Sequence, residues 1–561
     1  MKKNIYLLLL LIGILGYKQL LAGTGWGNIN DYSAYPDTCR VQKYSDTNLD
    51  YTLVDEDNQI RTFVYFDQKI LSNQEVPIVV MVNGNGLLIS QYDLFFKHLA
   101  DNGYFIIFIE RSGGGDGDGL NKDIVILDIM DSVIEHYEIS RLSPTALIGH
   151  SMGGTHTMKM LKRNKERVIH EQYNIKALIT LAPTVENVYN TEEPINAFDT
   201  TAYLSLYGSQ DMDVTGLNEN YDPFAAYEYV GNERSTIGTN STNREGELFK
   251  SMVFIHGADH RGLIGDSLPD VATNPIHTEF ISTPDQFCIT KAYTLAFLNW
   301  HLLGHTLFKD FFQPPYIKPL SVHNMVSNKD DYMGRLTTSN PMGSPLRMFF
   351  QTSPKYKNVI QSFLNNMTYL ELEENKEIYK TENVIARVLE EYEFRNSYLL
   401  VRNITRKLLV SWGDETVYQN IGFSVSDDGQ DVSSYSHISV RIGQMFTTFQ
   451  SQIIANVPFL LGVFPNNDAE YQHAYLVLKD ADGKESFQKL DYWGDIPFND
   501  IRGATDTQFI FAHSVLNSIS IPLDAFAKDV DLSQITDVGI VFSPNTHGTI
   551  MVDNLEWSIF D

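Results

Sequence analysis

The chain alternates short apolar runs with glycine-rich or polar stretches, and the character of those runs changes near residue 346. In the first half, Pro77–Val82, Phe105–Ile109, Ala146-Leu147-Ile148, Ala177–Ala182, Tyr203–Tyr207 and Met252–Ile255 are continuous apolar strands. Continuous runs suit a parallel sheet covered on both faces. Thr157–Lys162 reads as a helix after the third run. Phe287, Ala292, Tyr293, Ala296, Phe297 and Trp300 recur at helical spacing and predict another. Thr283-Pro284-Asp285-Gln286 predicts a capping box at that helix's start, and Gly304 predicts its end. Together these predict an α/β unit over residues 24–305.

Residues 306–345 lose periodicity and collect proline, serine, asparagine and glycine, as a connector does. From 346 to 561 apolar and polar positions alternate instead. His437–Gly443 alternates as a half-buried strand, and Tyr475–Leu478 followed by Asp480-Ala481-Asp482-Gly483 reads as a hairpin. Further strands are predicted at Ser518–Leu523, Val538–Phe542 and Thr549–Leu555, without helical stretches between them. This predicts an all-β sandwich of jelly-roll type after the α/β unit.

The 561 residues carry a formal net charge of −28, which argues against nucleic acid and against anionic membrane surfaces as partners. Lys2-Lys3, an apolar stretch from Ile5 to Leu15 and Leu20-Leu21-Ala22-Gly23 read as a signal peptide over residues 1–23. The apolar stretch falls short of the ~20 residues a membrane span needs, so secretion or a periplasmic location is expected, with no stable span. Cys39 and Cys288 are the only cysteines. In an oxidising compartment they could pair; two separate thiols are the alternative.

Chemistry concentrates at Gly149-His150-Ser151-Met152-Gly153-Gly154, between a strand and a helix. A G-x-S-x-G sequence in that context forms a nucleophile elbow: glycines let strand and helix approach, and the serine is forced out over the sheet edge. Ser151 is therefore the expected nucleophile. An acid and then a histidine should follow in chain order. Asp211 lies just beyond the strand ending at Tyr207-Gly208, and His260 lies on the loop after Met252–Ile255. Asp213 remains open as the acid and His256 as the base, because loops are placed from sequence only to within a few residues. Asp259 reads as a solvated loop charge. Asn83-Gly84-Asn85-Gly86 follows an earlier strand, and the backbone N–H groups of Asn85 and Met152 are the expected oxyanion-hole donors.

On these motifs, residues from about 45 to 305 resemble the α/β-hydrolase fold. Within it they resemble secreted cutinase-like, polyester-hydrolase-like and dienelactone-hydrolase-like serine esterases. Tyr207–Val214 with Gly257-Ala258-Asp259-His260 is similar to little-characterised secreted bacterial members. The resemblance implies Ser151, Asp211 and His260 as nucleophile, acid and base. Asn85 departs from the aromatic residue of the polyester hydrolases, which speaks against a flat aromatic polymer. Ile519–Leu523, Asp531–Val538 and Gly548–Leu555 resemble carbohydrate-binding-module-like domains, implying a glycan or polymer ligand and a structural calcium. Trp412, Trp493 and Trp557 are candidate sugar-stacking platforms, with core packing the commoner fate of such side chains.

Asp116, Asp118 and Asp123, with Asn121, fall in or beside the run Ser112–Gly119. They lack the spacing of an EF-hand loop, so a mobile loop beside the site is the better reading than a calcium site. Only about 20 residues separate Leu181 from Tyr203, leaving no room for a large lid. The expectation is an exported serine hydrolase that cleaves carboxylic esters, water-exposed or polymeric, through an acyl-enzyme intermediate without a cofactor or metal. A serine peptidase or amidase on the same triad, and a non-catalytic glycan-binding protein, are the alternatives.

Overall fold

The computed structural model describes most of residues 60–312 and 348–559; the longer internal stretches outside the described residues are 112–121, 186–200, 216–222, 228–248, 267–280, 362–368, 445–473 and 504–509. Its first sheet has eight strands: β1 (Ile60–Tyr65), β2 (Ile78–Val82), β3 (Phe105–Arg111), β4 (Thr145–His150), β5 (Ile175–Leu181), β6 (Ala202–Gly208), β7 (Lys250–Ile255) and β8 (Met348–Ser353). They lie in the order β1-β3-β2-β4-β5-β6-β7-β8. The pairs from β3 through β7 are parallel, and β1 and β8 close the edges antiparallel.

The apolar runs behave as a two-sided sheet requires. Every residue of β2, β4, β6 and β7 is buried. Helices α1 (Ile89–Asp101), α2 (Lys122–His136), α3 (Met152–Glu166) and α4 (Thr283–His301) supply the covering layers. The capping prediction shifts by one residue: Ser282 is the N-cap of α4, and its hydroxyl accepts the Asp285 N–H. Gln286 does not close the box. Its amide reaches sideways to the Ile281 carbonyl and to the Asp259 N–H, tying α4 to the loop after β7.

The core of this unit runs past residue 305. Thr306–Phe311 forms a 3-10 turn, and Phe311 and Phe312 pack into the same cluster as β2 to β7. The first strand beyond 345 is not part of the sandwich, because β8 pairs with β7 and completes the first sheet. Alternation alone cannot show which sheet a strand joins.

The C-terminal half is a sandwich. One sheet has five strands (378–380, 419–424, 535–542, 474–480 and 485–489) and the other six, including 356–361. All but the edge hairpin partner Glu485–Lys489 contribute to a core holding Trp412, Phe423, Ile438, Val440, Leu476, Ile540, Val552 and Trp557. Trp412 stacks on Phe542 at 3.9 Å between centroids, and Trp557 is buried. These two are core residues, not open platforms; Trp493 is half-buried and packs against the same core. Among the described residues, three elements fall outside the expected pattern: two short helices, Tyr369–Glu374 and Leu490–Trp493, and a separate four-stranded sheet built from 392–395, 399–403, 510–513 and 500–503. The outer face of the six-stranded sheet is polar yet buried: Arg441 pairs with Asp553 at 2.9 Å, and its guanidinium lies 5.6 Å from the ring of Tyr227, whose other cationic neighbour is Lys250 at 4.6 Å.

Candidate functional site

Sheet order locates the site before any side chain is considered. The chain runs from β2 outward to β3, then returns to place β4 on the opposite side of β2. Such a reversal leaves a crevice at the C-terminal ends of the strands, where ligands of open α/β sheets bind. The loop after β2 and the turn after β4 flank it.

Ser151 occupies that turn with φ 53° and ψ −124°, a backbone conformation L-residues rarely adopt. A conformation of this kind costs of order 1–3 kcal/mol and persists only where its surroundings impose it. Here the Ser151 N–H donates to the Leu181 carbonyl at 2.9 Å, and the Ser151 carbonyl accepts the N–H groups of Gly154 and Thr184. The glycines permit the approach. A Cβ on Gly153 would lie 2.2 Å from the Val82 carbonyl oxygen, and one on Gly149 would lie 2.4 Å from the carbonyl oxygen of Gly153.

Asp211 and His260 come together from the loops after β6 and β7. His260 Nδ1 is 2.8 Å from Asp211 Oδ2, and both side chains are buried. The other Asp211 oxygen accepts the backbone N–H groups of Asp213 (3.0 Å) and Val214 (2.8 Å), which fixes the carboxylate's orientation. Asp213 is exposed, and its carboxylate lies 3.5 Å from His260 Nε2, on the opposite side of the ring. Of the two acids left open by the sequence, Asp211 has the geometry that orients an imidazole. His256 lies outside the described residues, as do Asp116, Asp118, Asn121, Cys39 and residues 1–23.

Asp259 is not a solvated charge. Its carboxylate accepts the Gly262 N–H at 2.6 Å and is partly buried, and that burial raises its pKa. It therefore organises the turn that follows His260.

A buried relay links the three loops and was not read from the sequence. The Gly84 N–H donates to the Tyr92 hydroxyl at 2.9 Å, and that hydroxyl is 2.8 Å from His150 Nδ1. His150 Nε2 is 3.1 Å from the carbonyl oxygen of His260, which can only accept. Nε2 therefore carries the proton, and Tyr92 donates to Nδ1. Burial holds the His150 pKa well below its ordinary value, with the His260 charge adding to the effect, so the ring stays neutral. Burial pushes the Tyr92 hydroxyl well above its ordinary pKa. The only hint in the sequence was that Tyr92 and His150 are polar residues at core-facing positions.

Asn85 lies at the exposed tip of the turn after β2, one residue beyond Gly84; a Cβ on Gly84 would lie 3.0 Å from the Ser151 Cβ. Met152 is the first residue of α3, where a helical N–H has no intrahelical acceptor. Glu110, buried at the end of β3, accepts the Ile89 N–H at 2.6 Å, pairs with Arg61 and caps α1 beside this turn. Among the described residues, no group of three or more His, Cys, Asp or Glu side chains could hold a metal ion, and no helix is long and apolar enough to cross a membrane.

The family described as serine aminopeptidase, S33, matches residues 73–213, a span containing Ser151 and Asp211 and ending before His260. No curated protein matches the chain. Among solved structures, the chain is similar to the family 11 carbohydrate-binding module of the cellulosomal cellulase Lic26A-Cel5E of Clostridium thermocellum. The two are 14% identical over 36% of this chain and 95% of that one, with a TM-score of 0.21.

Proposed function

Taking the chain as a hydrolase of the α/β-hydrolase type with a β-sandwich behind it, we propose that it cleaves carboxylic esters through an acyl-enzyme formed on Ser151. The observation that carries this reading is the buried Asp211–His260 bond at the same sheet edge as the strained Ser151 turn. His260 takes the Ser151 hydroxyl proton as the oxygen attacks the carbonyl. Asp211 holds the ring's tautomer and stabilises the imidazolium. The N–H groups of Asn85 and Met152 receive the developing oxyanion, and the imidazolium then protonates the leaving alkoxide. Water, deprotonated by His260, attacks the acyl-serine; collapse expels Ser151 Oγ, which regains its proton, and releases the acid. The leader-like residues 1–23 support export of the enzyme to the periplasm or beyond.

Amide hydrolysis is the second reading, because the matching family is described as a serine aminopeptidase and the same residues serve either leaving group. The test is turnover of p-nitrophenyl esters from acetate to palmitate beside aminoacyl p-nitroanilides, by the protein and its Ser151→Ala variant. Ester turnover that falls by about 10⁴-fold or more in the variant supports the reading. Anilide turnover alone moves it to the amidase. Ester turnover untouched by the substitution sinks it.

A further inference from the structure

We propose that Asp213 is a specificity-determining residue that selects substrates bearing a cationic group, such as quaternary-ammonium or amino-alcohol esters, over neutral and anionic ones. This rests on the ester-hydrolase reading of the site.

Two placements carry it. The Asp213 carboxylate lies 3.5 Å from His260 Nε2, the nitrogen that must face the nucleophile when Nδ1 is bound to Asp211. It is also exposed to solvent, so a cationic group of a substrate can approach it without breaking into the packed frame. Its position is not that of a wandering loop charge. The Asp213 N–H is held by Asp211, the Val214 N–H is held by the same oxygen, and the Val214 carbonyl is held by the buried Tyr207 hydroxyl at 2.8 Å. One carboxylate thus orients the histidine from behind and fixes the backbone that carries a second carboxylate to the front.

A cation on the loop that carries His260 is engaged by another carboxylate. Arg261 faces Asp266 at 3.6 Å, and Asp266 is further held by the Gln91 amide at 2.6 Å. A substrate charge about 6 Å from Asp213, at an effective dielectric constant between about 40 and 80, changes relative binding by roughly 3- to 10-fold. The net charge of −28 attracts cations to the whole surface, but that contribution is distributed and screened by salt. The local share is what one substitution removes.

The experiment compares kcat/KM for an acylthiocholine, its uncharged 3,3-dimethylbutyl thioester isostere and an anionic sulfonate analogue, in the full chain and in Asp213→Asn and Asp213→Glu. The expected result is a cationic-to-neutral ratio of about 3 to 10 at 0.1 M salt. It should fall toward one in Asp213→Asn and persist in Asp213→Glu. A ratio near or below one in the unaltered chain, or one unchanged by Asp213→Asn, overturns the proposal. Binding of tetramethylammonium against tert-butanol, followed by NMR titration, judges Asp213 independently of turnover. If no thioester is cleaved, the ester reading is judged by p-nitrophenyl ester turnover, while loss of ammonium binding in Asp213→Asn still supports the cation preference and equal binding refutes it.

Discussion

His150 and His260 are joined twice: the His150 ring donates to the His260 backbone carbonyl at 3.1 Å, and the two rings lie 4.7 Å apart. The residue before the proposed nucleophile thereby holds the backbone of the proposed base. Through Tyr92 it also holds Gly84, next to the proposed oxyanion turn. Tyr92→Phe removes the hydroxyl and strands the Gly84 N–H, a loss of about 1–3 kcal/mol for an unsatisfied buried group. The expected outcome is a lower denaturation midpoint and a fall in kcat of about 10- to 100-fold with KM nearly unchanged, since loosened placement of catalytic groups acts on the transition state. A variant of lower stability with wild-type kcat would make the relay structural only.

The two carboxylates around His260 should separate sharply on a neutral ester. Asp211→Asn presents an amide to Nδ1 and favours the wrong tautomer, a change that costs about 10⁴-fold in kcat in triads of this kind. Asp213→Asn should cost at least about a hundredfold less. Comparable losses would return Asp213 to the role of acid.

Acid should unfold this protein by way of its buried histidines. Burial lowers the pKa of His98 and His437 to about 4 and that of His150 well below its ordinary value. The unfolded chain binds protons at these residues near pH 6.5, whereas the folded chain does not. Stability is therefore full above about pH 6.5 and is lost as pH falls toward 4, by up to about 1.4 kcal/mol per histidine per pH unit. Thermal melts between pH 7.5 and 4.5 should show Tm falling from about pH 6.5 downward. A flat profile to pH 5 would show that these rings are not held neutral.

Gln210 precedes the proposed acid and is fully buried, and among the described residues neither of its side-chain amide atoms has a hydrogen-bond partner. An unpaired buried amide costs about 1–3 kcal/mol. Gln210→Met, of similar length, is expected to raise the denaturation midpoint without lowering kcat. A drop in kcat would instead give the amide a role at the site.

The sequence by itself determined the α/β layering, the strand–turn–helix around Ser151 and about half of the strands of the sandwich, those at 437–444, 474–480, 517–522, 535–542 and 548–559 among them. Those features rest on local pattern: continuous apolar runs, alternation, and glycines where backbones must meet. The loops carrying Asp211 and His260 were legible for the same reason, since each directly follows a buried strand. Only the tertiary structure shows that Asp211 meets His260 Nδ1 while Asp213 lies by Nε2, because two carboxylates two residues apart differ in which side of one imidazole they reach. It also decided the sheet to which Met348–Ser353 belongs, because an edge strand reads alike whichever sheet accepts it. Tyr92, His150 and Glu110 were equally hidden. Each is a polar residue in an apolar context, stable there only through a hydrogen-bond partner distant in sequence, and chain pattern carries no record of such partners.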